Sequence, residues 1–215
     1  MIDQMHICVS GADSTEFLQG QLTNDIRRVV PGNTLRAAWC NPKGRVICLF
    51  EVSRDEAGFR LLLPLELAES TVQRLTMFRF RAKVDFTLEP AEAADPLALL
   101  QSGVPHIGRE QTEKYTAHML NLDLLDAINF EKGCYTGQEI IARTHYKGAT
   151  KRRALRFESS KPLAVADKVS DGNRDIGEVL NVAGVELLAV IPTAQADLPL
   201  RVNGVELKHR PLPYL

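Results

Sequence analysis

The sequence has little of what metal and disulfide proteins depend on. It contains four cysteines, at positions 8, 40, 48 and 134, and no two of them form a Cys-x-x-Cys pair. We therefore expect no intrinsic metal, neither a zinc site nor a ferredoxin-type cluster held by this chain alone. Cys8, Cys40 and Cys48 lie in or beside apolar, strand-like stretches. This setting predicts small buried side chains for those three cysteines.

The chain also lacks an excess of charge of one sign and lacks long apolar runs. The net charge of −1 does not favour a chain that wraps nucleic acid or lies on an anionic membrane. Apolar runs such as 59–63 are far too short to span a bilayer, and residues 1–14 lack the basic-then-apolar pattern of a secretory signal. The composition, with 45% hydrophobic and 25% charged residues, predicts a globular protein. We expect this protein to be cytoplasmic.

The segment 132–139, KGCYTGQE, predicts the start of a helix. Thr136 and Glu139 have the spacing of a capping box, in which each side chain bonds to the backbone at the other residue. The helix is predicted to run from about Gly137 towards His145. Backbone N–H groups at such a helix start carry a partial positive charge.

Cys134 lies just ahead of this predicted helix, and Lys132 adds a second positive charge two residues earlier. Both features favour the thiolate over the thiol, whereas Glu131 would act against it if its carboxylate faced the sulfur. Gly133 and Gly137 let the backbone turn tightly and leave the sulfur uncovered. We predict an accessible, reactive thiol at Cys134. The alternative is a loop cysteine that only packs.

The first half of the chain alternates between strand-like and helix-like patterns. A hairpin turn is predicted at 41–44, where Pro presets the backbone and Gly supplies the permissive position. Met77, Phe78 and Phe80, at the end of a helical stripe, are predicted to be core residues. Strands are predicted at 5–9, 34–40, 45–52, 59–63 and 81–88, and helices after Ser14 and over 65–79. This order indicates an α+β layer with helices on one face.

The remaining sequence has a different texture. Residues 90–111 are predicted to form a linker with a short helix around 97–100, and 121–125 another short helix. After residues 147–150, short strand-like segments alternate with glycines, which is typical of a small barrel. The dipeptide Asn203-Gly204 between apolar runs predicts a hairpin.

Three segments carry a resemblance to a known family. The segments 11–25 (GADSTEFLQGQLTND), 41–45 (NPKGR) and 121–152, which contains KGCYTGQE, resemble the YgfZ family. These are folate-linked proteins related to the glycine-cleavage T-protein, the aminomethyltransferase, and the resemblance spans nearly the whole chain. It implies a T-protein-like N-terminal antiparallel sheet with helices over residues 1–148, followed by a small C-terminal β-barrel over 149–215.

The resemblance also implies a function. It points to a ring-like arrangement with a central opening for tetrahydrofolate, and to a role in assembling or repairing iron–sulfur clusters. The expected partners are iron–sulfur proteins, including tRNA-modifying enzymes, or cluster-assembly factors. Cys134 is the key residue of the family signature. The signature residues around it are Lys132, Gly133, Tyr135, Gly137, Gln138, Glu139 and Arg143.

Candidate cofactor-binding residues lie in or beside the two earlier segments. Lys43 and Arg45 would hold the glutamate tail of folate or an RNA phosphate; the alternative is a solvated turn. Trp39 would line a pterin-sized opening, or else pack in the core. Asn24 and Asp25 complete this set; the alternative for them is a polar turn that ends the preceding helix.

Two departures from the T-protein bear on catalysis. The positions that align with its acidic pair hold Cys48 and Leu49, so no carboxylate is available there for proton transfer. The middle region is reduced to about 90–118, with no counterpart of the Gly-Tyr-Thr-Gly-Glu stretch of the T-protein. No complete catalytic constellation is present, so the sequence does not predict a classical enzyme. A folate-dependent aminomethyl transferase is the first alternative function.

A basic concentration follows the cysteine. It consists of Arg143, Lys147, Lys151, Arg152 and Arg153. It would steer tRNA or another anionic ligand, or it would be a charged barrel edge that discourages strand pairing. Aromatic residues do not interleave with these charges in the regular way that a stacking platform requires. An RNA-binding module is the second alternative function.

Overall fold

The structure, a computed structural model, describes residues 1–148 and 150–215, which form two compact units. The first unit comprises residues 1–94, 107–117 and 122–143, and the second comprises 95–106, 118–121 and 144–215. Residue 149, at which the predicted second domain begins, lies outside the described residues. The division into 1–148 and 149–215 stays a prediction.

The first unit is built on a five-stranded antiparallel sheet. Its strands are β1 (Ile2–Ser10), β2 (Leu35–Cys40), β3 (Val46–Arg54), β4 (Phe59–Pro64) and β5 (Asp85–Ala94). They lie in the order β2-β3-β4-β1-β5. Two helices pack on this sheet, α1 (Ser14–Gln21) and α2 (Leu65–Arg79), and a short 3-10 helix covers Ile26–Arg28. The core lies between sheet and helices because alternate strand residues, such as Ile7 and Val9, face inward.

Two predictions about the middle of the chain are wrong. The linker predicted at 90–111 begins later, because β5 continues to Ala94 and pairs with β1 along its length. The helix predicted at 121–125 is a run of turns instead. Asn121 and Asp126 have φ angles of 58° and 52°, which a right-handed helix cannot accommodate.

The prediction that Met77, Phe78 and Phe80 are core residues is also wrong. Their side chains are 67%, 41% and 88% exposed, respectively. The buried stripe of helix α2 ends at Leu75. Phe78 lies beyond it, with its ring centroid 6.0 Å from that of Trp39. Phe80 follows the last helical residue and has a φ of 45°, so the chain turns away from the helix axis there.

The second unit is a closed, six-stranded antiparallel barrel. Its strands are β6 (Arg152–Ser159), β7 (Lys168–Ser170), β8 (Asp175–Ala183), β9 (Glu186–Pro192), β10 (Leu200–Val202) and β11 (Val205–Arg210). They close in the order β10-β11-β6-β9-β8-β7, and helix α3 (Pro96–Gln101) belongs to this unit. Asn203 and Gly204 have φ angles of 51° and 79°, as a two-residue hairpin of the predicted type requires. The predicted fold class, an antiparallel α+β layer followed by a small barrel, is confirmed.

Candidate functional site

Cys134 differs from the other three cysteines in its exposure. Its side chain is exposed, whereas Cys40 and Cys48 are fully buried on β2 and β3 and Cys8 is partly buried on β1. Burial raises the pKa of the thiol at Cys40, Cys48 and Cys8. Cys134 is therefore the cysteine that a reagent or partner in solution reaches most readily.

The helix after Cys134 begins close to the predicted position. Helix α4 runs over Gln138–Lys147, and the carbonyl of Gly137 accepts a hydrogen bond from the N–H of Ile141 at 3.3 Å. The side-chain oxygen of Gln138 accepts one from the N–H of Tyr135, also at 3.3 Å. Helix α4 thus begins at Gln138. This is one residue later than the start that the predicted Thr136 capping box requires.

The hairpin turn of β2 and β3 packs against the segment that carries Cys134. Gly137 has a φ of 85°, and a Cβ atom there would lie 2.5 Å from the carbonyl oxygen of Asn41. Gly44 has a φ of 68°, and a Cβ atom there would lie 3.1 Å from the Cβ atom of Ile140. A Cβ atom on Gly133 would meet no heavy atom within 4 Å among the described residues. Of the two signature glycines next to Cys134, only Gly137 is required by its surroundings.

Lys132 anchors the other end of this segment. It is buried, and its ammonium donates hydrogen bonds to the carbonyls of Gln19 and Leu22, at 2.7 and 2.5 Å, at the end of α1. It also lies 4.9 Å from the ring centroid of Tyr135. Burial lowers the pKa of Lys132 to about 8, and the nearby Asp25 only partly offsets this. Lys132 therefore has an anchoring role that sequence reasoning missed.

Two further buried side chains tie residues 126–127 to the sheet. The hydroxyl of Thr23 donates to the carbonyl of Ala127 at 2.6 Å and accepts from the N–H of Ala38 at 2.8 Å. The amide of Asn24 donates to the carbonyl of Asp126 at 2.7 Å and to a carbonyl of β2 at 2.8 Å. Because both groups are buried, these bonds replace water and hold the chain before Cys134 in place.

The candidates Asn24, Asp25 and Trp39 are all engaged within the first unit. The carboxylate of Asp25 accepts from the side-chain amide of Gln19 at 3.0 Å and from the N–H of Arg27 at 3.2 Å, which caps the 3-10 helix. Trp39 is 1% exposed, which supports the core alternative for its indole. These three side chains stabilise the unit that carries Cys134.

Lys43 and Arg45 lie on the hairpin turn beside this segment. The side-chain oxygen of Asn41 accepts from the N–H groups of Lys43 and Arg45, at 3.0 and 3.1 Å, and so fixes the turn. The guanidinium of Arg45 donates to the carbonyl of Lys114. Both side chains are exposed, so the turn presents positive charge to solvent.

Glu113 is a site residue that sequence reasoning missed. Its carboxylate accepts from the side-chain amide of Asn41 at 3.0 Å and from the guanidinium of Arg74 at 3.3 and 3.4 Å. These contacts, with Asn41 first, lower the pKa of Glu113. Arg74 in turn lies over the Trp39 ring, 5.4 Å from its centroid. No sequence signal connects Glu113 with Asn41, because they are 72 positions apart.

The predicted basic cluster is only partly available for a ligand. The Arg152 guanidinium donates to the carbonyl of Ile176 at 2.7 Å, and that of Arg153 donates to the side-chain oxygen of Asn121 at 3.1 Å. These two arginines thus hold the second unit together. The other signature and cluster residues, Glu139, Arg143, Lys147 and Lys151, are exposed.

The described part of the chain shows no ready metal site. Among those residues, no three or more His, Cys, Asp or Glu side chains are grouped so that they could hold a metal ion. None of the described helices has the length and apolar character needed to cross a membrane.

Comparisons with known proteins place this geometry in context. No family model matches the chain. An uncharacterised protein of Haemophilus influenzae is 31% identical over 195 residues, which cover 70% of this chain and 69% of that protein. The tRNA-modifying protein YgfZ of Klebsiella pneumoniae is 26% identical, with 96% of this chain and 89% of that protein covered. The protein of that name from Colwellia psychrerythraea is 26% identical, with 83% and 76% covered.

A solved structure shares the fold. The glycine cleavage system aminomethyltransferase T from Bartonella henselae superposes with a TM-score of 0.69 and covers 99% of this chain and 84% of that chain. The two sequences are 15% identical, so this likeness concerns the fold alone.

Proposed function

Because the chain belongs to the YgfZ family, we propose that it is an accessory protein in tRNA modification that acts through the thiol of Cys134. The observation that carries this proposal is the setting of the cysteine. Its side chain is exposed, while the residues on either side of it, Lys132 and Gly137, are tied to buried or tightly packed groups. A rigid support that presents one thiol suits transient contact with a reactive partner.

The finer form of the proposal concerns iron–sulfur proteins. In it, Cys134 transiently engages a sulfur species, a cluster in transit or a partner protein while tRNA-modifying iron–sulfur enzymes are assembled or repaired. The cluster is cargo in this scheme. Thiolates are the usual ligands of such clusters, and an exposed cysteine is the group that such chemistry needs.

Aminomethyl transfer is less well supported. The reaction needs a group that manages protons at the folate nitrogens. In the positions predicted for that group, Cys48 is buried with a raised pKa and residue 49 is a leucine. The shared fold is therefore not sufficient support for aminomethyl transfer by this chain.

The thiol proposal is tested by replacing Cys134 with serine. The exposed position predicts a change in the free energy of unfolding of at most about 0.5 kcal/mol. We expect the variant to fold normally but to fail to rescue a strain that lacks its own copy, and to leave tRNA modification low in that strain. The measurement is complementation together with mass spectrometry of tRNA nucleosides.

Cys8→Ser is the matched control, because it also removes a thiol from the first unit and should retain rescue. Brief treatment of the native protein with iodoacetamide should modify Cys134 before Cys8, Cys40 or Cys48. Full rescue by Cys134→Ser would contradict the proposal.

Only some of the residues predicted to bind tetrahydrofolate are available to a ligand. Asn24, Asp25 and Trp39 bond or pack within the first unit, whereas Lys43 is exposed on the turn. We propose that Lys43 meets the glutamate tail of the folate, and we assign the folate no step in the action of Cys134.

Calorimetry tests the folate contact. Titration with tetrahydrofolate should release heat, and Lys43→Glu should weaken binding about tenfold, since reversing one charge close to a carboxylate changes the interaction energy by about 1 kcal/mol or more. Lys147→Glu, on the exposed part of α4, is a control for the change in net charge. Absence of heat with the unaltered protein at millimolar ligand would remove folate from the proposal and leave the thiol proposal standing.

A further inference from the structure

An exposed surface at the end of α2 combines apolar and cationic side chains. We call residues 77–83, with the sequence MFRFRAK, the Phe80 surface. Phe80 is 88% exposed and Met77 is 67% exposed, both unusually high for large apolar side chains. The thiol site described above uses none of these residues.

The backbone under Phe80 is held in place. The N–H of Ala82 donates to the carbonyl of Arg79 at 2.8 Å, and the guanidinium of Arg79 donates to the carbonyl of Val84 at 3.0 Å. The same guanidinium lies 3.5 Å from the carboxylate of Asp85. A ring presented from a fixed turn loses less conformational entropy on binding than a ring on a mobile segment.

The charge around this ring is mainly positive, although the carboxylate of Asp13 accepts a hydrogen bond from the N–H of Lys83 at 2.7 Å. Between residues 74 and 85 the sequence contains four cationic side chains and one acidic side chain, although the whole chain has a net charge of −1. Arg81 and Lys83, on either side of Ala82, are both exposed. A ligand that complements this surface carries repeated negative charge and offers flat apolar groups.

We propose that the Phe80 surface binds single-stranded RNA. An unpaired base stacks on the phenyl ring of Phe80, and the side chains of Arg81 and Lys83 contact the neighbouring phosphates. Aromatic and basic side chains alternate at 78–81, with the sequence FRFR, whereas Tyr146 stands by itself among the charges of the cluster 143–153. Protein interfaces are depleted of lysine but enriched in methionine, phenylalanine and arginine, so the test below also measures self-association. The proposal goes beyond the accessory function above, since it requires neither the Cys134 thiol nor folate.

The test measures RNA binding by fluorescence anisotropy. The probe is a labelled single-stranded RNA of about twelve nucleotides and mixed sequence, within the range of known single-strand sites. We expect Phe80→Ala to weaken binding about tenfold, since a stacked base contributes on this scale, and Phe80→Trp to retain it. Replacing both Arg81 and Lys83 with glutamine should reduce the slope of log K against log salt by about 1.4. A duplex of the same sequence should bind more weakly.

Two controls make the outcome decisive. Tyr146→Ala removes another exposed aromatic side chain, on α4 between the cationic residues 143 and 147, and should leave the affinity unchanged. Cys134→Ser should also bind RNA normally, so that failure of the thiol proposal and failure of this one are distinguishable. Thermal unfolding of each variant checks that it folds.

Three results would overturn the proposal. The first is unchanged RNA affinity in Phe80→Ala. The second is a loss of affinity in Tyr146→Ala but not in Phe80→Ala, which would place the RNA on α4. The third is a loss of self-association in Phe80→Ala, measured by sedimentation, with no effect on RNA, which would make the Phe80 surface a contact between copies of this chain.

Discussion

Replacing Gly137 with alanine is expected to lower the free energy of unfolding by about 2–4 kcal/mol, through backbone strain and overpacking together. The φ of 85° is unfavourable for any residue with a Cβ atom, and that atom would lie 2.5 Å from the carbonyl oxygen of Asn41. This oxygen cannot move away easily, because it also accepts the hydrogen bond from Gly44 that closes the hairpin turn. The segment 133–137 would have to shift, and with it Cys134.

Urea unfolding and complementation measure the two consequences. Gly137→Ala should have a lower unfolding midpoint and should fail to rescue a strain that lacks its own copy. Gly133→Ala is the matched control, since its Cβ atom meets nothing within 4 Å among the described residues, and it should retain both stability and rescue. Equal stabilities for the two variants would show that the packing against Asn41 is not what holds this segment.

The free energy of unfolding is expected to rise by about 1 kcal/mol per pH unit as the pH increases from about 7.5 to 9, because of Lys132. Burial lowers the pKa of Lys132 from 10.5 to about 8 in the folded state. Between these values the unfolded chain holds a proton that the folded chain has released. Folding in this window therefore releases a proton, and raising the pH favours the state that has released it.

Three buried acids reverse the trend at higher pH. Burial raises the pKa of Cys40 and Cys48 above the ordinary 9.0, and that of Tyr135 above the ordinary 10.0. Above about pH 9 the unfolded chain loses these protons while the folded chain keeps them, so stability falls. The free energy of unfolding should therefore have its maximum near pH 9.

Lys132→Met isolates the contribution of the lysine. The variant should lose the rise between pH 7.5 and 9, and its stability at pH 7 should fall by about 1–3 kcal/mol, because the carbonyls of Gln19 and Leu22 lose their donor. Lys43→Met, on the exposed turn, should keep the rise. Urea unfolding at several pH values provides the comparison, and a rise that persists in Lys132→Met would assign it to another group.

The fold was largely predictable from local patterns. The helix over 65–79 and the hairpin at Asn203-Gly204 follow from side-chain periodicity and from the backbone angles that glycine and asparagine permit. The errors occurred where local pattern and tertiary packing disagree. Phe78 continues the apolar stripe of α2 in the sequence, but the last residue of the helix that is buried in the core is Leu75. The helix predicted at 121–125 is replaced by turns, and the residues at its start and just after its end, Asn121 and Asp126, have positive φ angles.

The candidate site was predictable only in part. Cys134 and the helix after it follow from one continuous segment, but the roles of Lys132, Thr23 and Asn24 do not. The sequence relates Lys132 only to the cysteine two positions later, whereas its ammonium bonds to carbonyls more than 100 positions earlier. Such contacts leave no periodic or spacing signal.

The sequence by itself determined the order of strands and helices, the family resemblance and the identity of the cysteine, because these depend on residues close together in the chain. Tertiary structure alone decided that this cysteine is exposed, that Asn24 and Trp39 are enclosed, and that Phe80 faces solvent. The reason is physical: exposure and hydrogen bonding depend on which distant segments fold against a residue, and a single sequence does not record those distances.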